Sequence, residues 1–73
     1  MQVYISEKYK LINKNIKKLR IKEKLSQEKF AESIGCSREY ISRLENNKEK
    51  IGLSMLLKIS FIYSKTPESF FYN

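Results

Sequence analysis

One segment in the middle of the chain, SREYISRLENN at residues 37–47, carries polar side chains at spacings that suit contact with another macromolecule. If the segment is helical, Ile41 and Leu44 set its inner face, because residues three apart share one side of a helix. The residues that then point outward or lie at the edge are Arg38, Glu39, Tyr40, Ser42, Arg43 and Asn46. Arginine, glutamate and serine can hydrogen-bond the base edges in a DNA major groove. A solvated helix face has a similar composition, so the charge and the neighbouring sequence must decide between the two interpretations.

The charge of the whole chain favours a polyanionic partner. Its 73 residues include 15 Lys and Arg against 8 acidic residues, which gives a net charge of +7. A small basic domain suits DNA, RNA or an anionic membrane surface. Lysine that only keeps the surface soluble is the alternative, and charge alone does not separate these interpretations.

The composition excludes much of catalytic and metal chemistry. The chain has no His and no Asp, and its one cysteine is Cys36. A four-ligand zinc site in one chain and nucleophilic catalysis of the Ser-His or Cys-His kind therefore lack their residues. Two glycines are too few for a phosphate-binding glycine loop. We expect no enzyme activity, no metal and no cofactor.

The same composition predicts a location in the cytoplasm. A lone cysteine cannot form an internal disulfide, and the N-terminus has no signal-peptide pattern. The most apolar stretch, residues 51–63, is interrupted by Lys58 and is too short to span a bilayer. We therefore expect no membrane partner.

Helical periodicity recurs along the chain and strand-like alternation is weak, which predicts an all-α fold in a single domain, residues 1–73. The first helix is predicted over residues 7–24, with Ser6 as its N-cap. Its apolar stripe consists of Tyr9, Ile12, Ile16 and Leu19. Residues 1–8 would form either an N-terminal arm or an extension of this helix.

Two short predicted helices meet at a tight turn. Ser26 is the expected N-cap of the first and Ser37 of the second, and Gly35 supplies a left-handed end to the first. Only Gly35 and Cys36 separate the two helices from cap to cap, which forces them to cross steeply as in a helix-turn-helix. Cys36 is predicted to be a small buried side chain within the turn. This turn and the basic charge together favour a base-reading role for the second helix.

Two further helices complete a predicted compact bundle of five short helices. The fourth spans about residues 52–63, and a short fifth follows Thr66 and Pro67. The fourth is apolar on more than one face, and aromatic residues crowd the C-terminus. So small a chain cannot easily cover all this surface alone, so we expect a two-fold homodimer. Its predicted anchors are Ile62, Phe70 and Phe71.

The stretch SQEKFAESIGCSREYISRLENNK resembles the helix-turn-helix of the Cro/CI-type, or XRE-type, regulators of phages and bacteria. The resemblance runs without a gap from Ile12 to Phe71. Its matching residues are Arg20, Ser26, Gln27, Phe30, Ala31, Gly35, Ser37, Ile41, Leu44, Glu45 and the closing segment 66–71. It implies a lambda repressor-like DNA-binding domain. One helical turn, SREYIS, is also similar to controller proteins of restriction–modification systems.

The resemblance also implies functional roles for residues within the helix-turn-helix and just after it. Base reading falls to Arg38, Glu39 and Arg43, with Ser42 and Tyr40 nearby. Contact with backbone phosphates falls to Ser26, Gln27, Asn46, Lys48 and Lys50. Arg20 and Glu45 would form a structural pair, and the position of Glu45 beside the inward face also requires a partner for its charge. Asn47 stands where the family often has Gly, which suits the tolerance of Asn for left-handed backbone.

The leading hypothesis is a sequence-specific regulator of transcription that binds double-stranded DNA as a homodimer on a two-fold operator. An antitoxin with a protein toxin as its main partner is a second hypothesis, and a helical interaction module without DNA is a third. Repression or activation would depend on where the operator lies relative to the promoter, although repression is the expected mode.

Overall fold

A computed structural model describes the chain from residue 2 to residue 73, with side chains from residue 7 onward. Four α-helices follow one another: α1 (Gln2–Lys22), α2 (Gln27–Ile34), α3 (Arg38–Glu45) and α4 (Leu53–Ile62). A 3-10 helix, Pro67–Phe71, follows them. No strand occurs in this part of the chain, so the prediction of an all-α fold with a helix-turn-helix is confirmed.

Both ends of α1 differ from the sequence prediction. The helix begins at Gln2, so Ser6 lies inside it and is not its N-cap. Neither Gly nor Pro stands in residues 2–6 to stop the helix there. At the other end, Lys24 has a left-handed φ of 59°, and the N–H of Leu25 donates to the carbonyl of Arg20 at 3.1 Å. This left-handed residue ends the helix at Lys22, two residues early.

The turn between α2 and α3 forms as its residues predict. The hydroxyl of Ser26 accepts the N–H of Lys29, and the hydroxyl of Ser37 accepts the N–H of Tyr40, both at 3.1 Å. Gly35 has a φ of 71°, and its N–H donates to the carbonyls of Ala31 and Glu32. The link between the two capped helices is only residues 35–37, and so short a link fixes their crossing and holds α3 against the rest of the fold.

One apolar core joins α1 to the helix-turn-helix. Its buried members are Ile12, Ile16, Leu19, Phe30, Ala31, Ile34, Ile41, Leu44, Ile51, Leu56, Ile59 and Phe70. The ring of Phe30 also packs against that of Tyr63, with centroids 5.5 Å apart. The core therefore fixes the inner face of α3 and leaves its polar face outside.

The C-terminal element corrects two predictions. It is a 3-10 helix because only five residues form it, and Ser69 bonds back to the carbonyl three residues earlier, that of Thr66, at 3.1 Å. Phe70 is 3% exposed and belongs to the core, so it cannot anchor a dimer. The side-chain amide of Asn15 in α1 donates to the carbonyls of Phe70 and Tyr72 at 2.8 Å and holds this segment in place.

The outer side of α4 carries an uncovered apolar stripe, here called the α4 stripe: Leu53, Leu57 and Phe61. These residues are four apart and therefore neighbours on one face, and their exposed fractions are 71%, 46% and 86%. An apolar groove of about 510 Å³ adjoins the stripe, between Tyr9 of α1 and Phe71 near the C-terminus. Within residues 2–73, no helix combines the length and the apolar character that crossing a membrane requires.

Candidate nucleic-acid interface

The first turn of α3 presents two charged side chains to solvent. Arg38 and Glu39 are both exposed, and their nearest charged atoms, Nη2 and Oε2, lie 3.6 Å apart. An ion pair at this exposure contributes little to stability, so either side chain can leave it for a partner outside the protein. The N-terminal end of α3 also carries the positive end of the helix dipole, which favours a nearby phosphate.

Arg43, one turn further along, is held in place. Its Nε donates a hydrogen bond to Oε1 of Glu49 at 3.0 Å. Its guanidinium carbon also lies 5.8 Å from the centre of the Tyr40 ring, within the range of a cation–π contact. Both contacts leave Arg43 about half exposed on the outer face of α3.

Tyr40 is half-buried beneath Arg43 and is not fully exposed on the outer face of α3. Burial raises the pKa of its hydroxyl, the charge of Glu49 raises it further, and a backbone hydrogen bond from Gly52 lowers it in part. The ordinary pKa of tyrosine already lies well above physiological pH and the shift is upward, so Tyr40 stays neutral there and brings no negative charge to this surface. Its ring is placed to support the guanidinium.

Two residues expected at phosphates already have partners inside the protein. The hydroxyl of Ser26 accepts the Lys29 N–H as a helix cap. The side-chain amide nitrogen of Gln27 donates to Oε1 of Glu45 at 2.9 Å. An amide nitrogen has two N–H donors, so Gln27 retains one for an outside acceptor.

The other three expected phosphate contacts lie at or beyond the C-terminal end of α3. Asn46 is exposed, and its amide nitrogen lies 3.4 Å from the hydroxyl of Ser42. Lys48 is exposed, and Lys50 holds its ammonium group 5.6 Å from the centre of the Tyr9 ring. This loop therefore carries two exposed cations after α3, and the ammonium group of Lys50 is directed towards Tyr9 of α1.

Arg20 and Glu45 are in contact. The Nε and Nη2 of Arg20 donate to the two carboxylate oxygens of Glu45 at 2.6 and 3.0 Å. The Nη1 of Arg20 also donates to the carbonyl of Leu25 at 2.8 Å. The side chains are only 14% and 3% exposed, so the pair ties α1 to the end of α3 from inside the protein.

Sequence reasoning missed two residues that support this surface, Glu49 beside Arg43 and the buried Asn13 behind it. Asn13 is 2% exposed, and its amide nitrogen donates to the carbonyl of Glu49 at 3.2 Å. It stands four residues after Tyr9 and three before Ile16, so a polar residue on the apolar stripe was the available signal. Glu49 offers a weaker signal, as a single acid between Lys48 and Lys50.

Comparison with known proteins identifies the family. A helix-turn-helix family model, HTH_3, matches residues 16–70, which is most of the chain. No curated protein and no solved structure matches the chain. The matched region includes the whole turn, α3 and the buried pair of Arg20 and Glu45. This family binds DNA and is not a family of enzymes. The chain belongs to it and is a Cro/CI-type helix-turn-helix protein of the DNA-binding, transcription-regulating class.

Proposed function

We propose that the protein regulates transcription by binding a specific two-fold DNA operator as a homodimer. The observation that carries the proposal is the outer face of α3, which leaves Arg38 and Glu39 exposed in the first turn and Arg43 exposed in the last turn of this capped helix. A recognition helix of this kind lies in the major groove with its first turns against the bases.

The base-reading residues divide by chemistry. Arg43 and Arg38 can each pair with O6 and N7 of a guanine, and such a pair discriminates by about 1–3 kcal/mol against a wrong base. Glu39 can accept a hydrogen bond from N4 of cytosine, although its charge also repels phosphate. Ser42 is half-buried near Asn46 and can assist from the flank.

The phosphate contacts follow from the ends of α2 and α3. Lys48 and Lys50 supply charge after α3, and Asn46 and Gln27 supply neutral donors. Ser26, whose hydroxyl caps α2, contributes through its position at the positive end of that helix. These contacts fix the register of the protein on DNA without reading sequence.

The dimer in this proposal uses the α4 stripe. Leu53, Leu57 and Phe61 join the predicted anchors Ile62 and Phe71, which are about 40% and 36% exposed. An apolar face of this kind commonly marks an interaction site. Two-fold pairing through it would give two copies of α3, and binding to successive major grooves requires them to lie about 34 Å apart.

Selection of bound sequences from random duplex DNA with the purified protein tests the proposal. We expect enrichment of a two-fold symmetric site that contains guanine in each half. Arg43→Ala should then weaken binding to that site far more than binding to random DNA, because bases and not phosphates are its partners. No enrichment over unselected DNA would refute sequence-specific binding, and a site without symmetry would refute the two-fold homodimer.

A further inference from the structure

Glu49 is the acidic residue that bonds Arg43. It is not one of the residues that form the helix-turn-helix. It lies in the loop after α3, outside both helices of the turn. Its Oε1 accepts the Nε–H of Arg43 at 3.0 Å, and the guanidinium carbon of the same side chain lies over the Tyr40 ring, 5.8 Å from its centre. The side chain proposed to read a base is therefore already oriented by two contacts.

The geometry leaves the outer edge of Arg43 available. A guanidinium has five N–H donors in one plane, and the bond to Glu49 uses only the one on Nε. The two terminal nitrogens carry the other four donors. Bidentate contact with O6 and N7 of guanine needs two donors. Arg43 can therefore bond Glu49 and a guanine at the same time.

The loop that carries Glu49 is fixed by the core. Buried Asn13 donates to the backbone carbonyl of Glu49 at 3.2 Å and lies 3.3 Å from Oδ1 of Asn47. Asn47 has a left-handed φ of 60°, and the next N–H, that of Lys48, donates to the carbonyl of Arg43 at 2.8 Å. The Glu49 carboxylate thus extends from a backbone with a set position relative to α3, as a supporting residue must.

We propose that Glu49 is a positioning residue for DNA recognition, which holds the Arg43 guanidinium over Tyr40 and so strengthens the preference for a guanine in the operator. The inference rests on the proposed function. An unrestrained arginine loses rotamer freedom when it makes a bidentate contact, whereas an arginine already bonded has lost much of it before DNA arrives. The charge of Glu49 also repels phosphate and weakens binding to every sequence. Glu49 therefore raises the selectivity for guanine at one operator position and lowers the affinity for DNA in general.

The opposite role would be a latch, in which Glu49 keeps Arg43 away from DNA. A latch that blocked end-on pairing would have to occupy the two terminal nitrogens, whereas the observed bond uses Nε and leaves end-on pairing with guanine open. In a latch, removal of Glu49 would increase binding to the operator more than binding to other DNA. In a positioning role, its removal would reduce the difference between the two.

The experiment uses the operator selected for the wild-type protein and a copy in which one guanine is changed to adenine. The guanine chosen is the one whose replacement weakens wild-type binding but not binding by Arg43→Ala. Glu49→Ala should lower the preference for this guanine by roughly tenfold and raise the affinity for random duplex DNA. Glu49→Gln keeps an acceptor for Nε without the charge, so it should retain most of the preference while binding random DNA more tightly.

Two controls separate positioning from loss of charge or of fold. Glu7→Ala removes the same charge from an exposed site on α1, where Glu7 lies 3.5 Å from Lys10, and should leave the guanine preference unchanged. In an Arg43→Ala background, Glu49→Ala should cause no further loss of preference. The backbone bond from Asn13 survives in Glu49→Ala, so the melting temperature should stay close to that of the wild type.

An unchanged or increased guanine preference in Glu49→Ala overturns the positioning role. The role is also overturned if Glu49→Ala still lowers the guanine preference when Arg43→Ala is already present. A selected operator without a guanine that depends on Arg43 also overturns it but leaves sequence-specific binding intact. If the wild-type protein enriches no sequence, both the proposed function and this inference fail.

Discussion

Arg20 and Glu45 form the best-satisfied polar contact in the described part of the chain, with two hydrogen bonds between them and further ones to Leu25 and Gln27. A buried ion pair adds little to the free energy of unfolding when it is compared with apolar residues of the same volume. Removal of one partner costs much more, because the remaining charge stays buried without compensation. In a chain of 73 residues such a loss is a large part of the total stability.

We expect Arg20→Ala to lower the free energy of unfolding by about 3 kcal/mol, since Glu45 would retain only the Gln27 amide as a partner. Urea unfolding followed by circular dichroism measures the change. Lys17→Ala, at an exposed site on the same helix, is the matched control and should change the value by less than about 0.5 kcal/mol. Equal stability of the two variants would mean that the ion pair contributes nothing.

The thiol of Cys36 allows a prediction about pH. Burial raises its pKa above the ordinary value, and the nearby charge of Lys58 offsets part of the rise. Only the thiolate is alkylated, so the folded protein should react with iodoacetamide more slowly than the urea-unfolded chain at the same pH. Because the folded pKa is the higher one, this thiol also favours folding below the unfolded pKa, and the contribution is lost as pH rises through the folded value. Equal alkylation rates in the two states would contradict the shift.

At the scale of elements, the turn between α2 and α3 depends on one backbone conformation. Gly35 has a φ of 71°, and a Cβ added there would lie 2.9 Å from Nζ of Lys58. The lysine end is flexible and can move aside, so backbone strain decides the cost. We expect Gly35→Ala to destabilise the fold by about 1–2 kcal/mol.

Gly52 provides the control for this substitution, because a Cβ there meets nothing within 4 Å and its φ is −79°. Gly52→Ala should change stability by less than about 0.5 kcal/mol, as the reduced entropy of the unfolded chain offsets a weaker N-cap. Thermal melts of both variants measure the difference. If Gly35→Ala melts no lower than Gly52→Ala, the left-handed turn is not strained by a side chain.

At the scale of the whole molecule, the proposed homodimer depends on the α4 stripe. Phe61 is 86% exposed, so Phe61→Glu removes almost no contact within one chain but would place a charge in a dimer interface. We expect a monomer by analytical ultracentrifugation at micromolar concentration, with an unchanged helical signal. Lys17→Glu, an exposed charge change on α1, should leave the dimer intact. A wild-type protein that sediments as a monomer would contradict the proposed homodimer.

The parts of this molecule that sequence predicts are the local ones. Caps and turns depend on a few adjacent residues, so Ser26, Gly35 and Ser37 define the helix-turn-helix before any packing is known. The sequence predicts Phe70 as an exposed dimer anchor, and the structure buries it. Its burial depends on how the C-terminus returns to α1, where Asn15 holds the segment, and this contact is not local. The bond from Asn13 to Glu49 joins residues 36 apart in the chain, and no local pattern reports such a contact.

The helix ends also show that the fold does not use all the stability available to its backbone. Lys24, Asn47 and Ser64 take left-handed conformations, with φ values of 59°, 60° and 55°, where glycine would be unstrained. Lys24→Gly and Ser64→Gly should each add about 0.5–1 kcal/mol, after the larger unfolded-state entropy of glycine is subtracted. The double variant should melt several degrees higher, which differential scanning calorimetry measures, and a lower melting point would show that these side chains favour the turns. We therefore expect that the protein can become more heat-resistant by evolution or engineering without any change in its core or in α3.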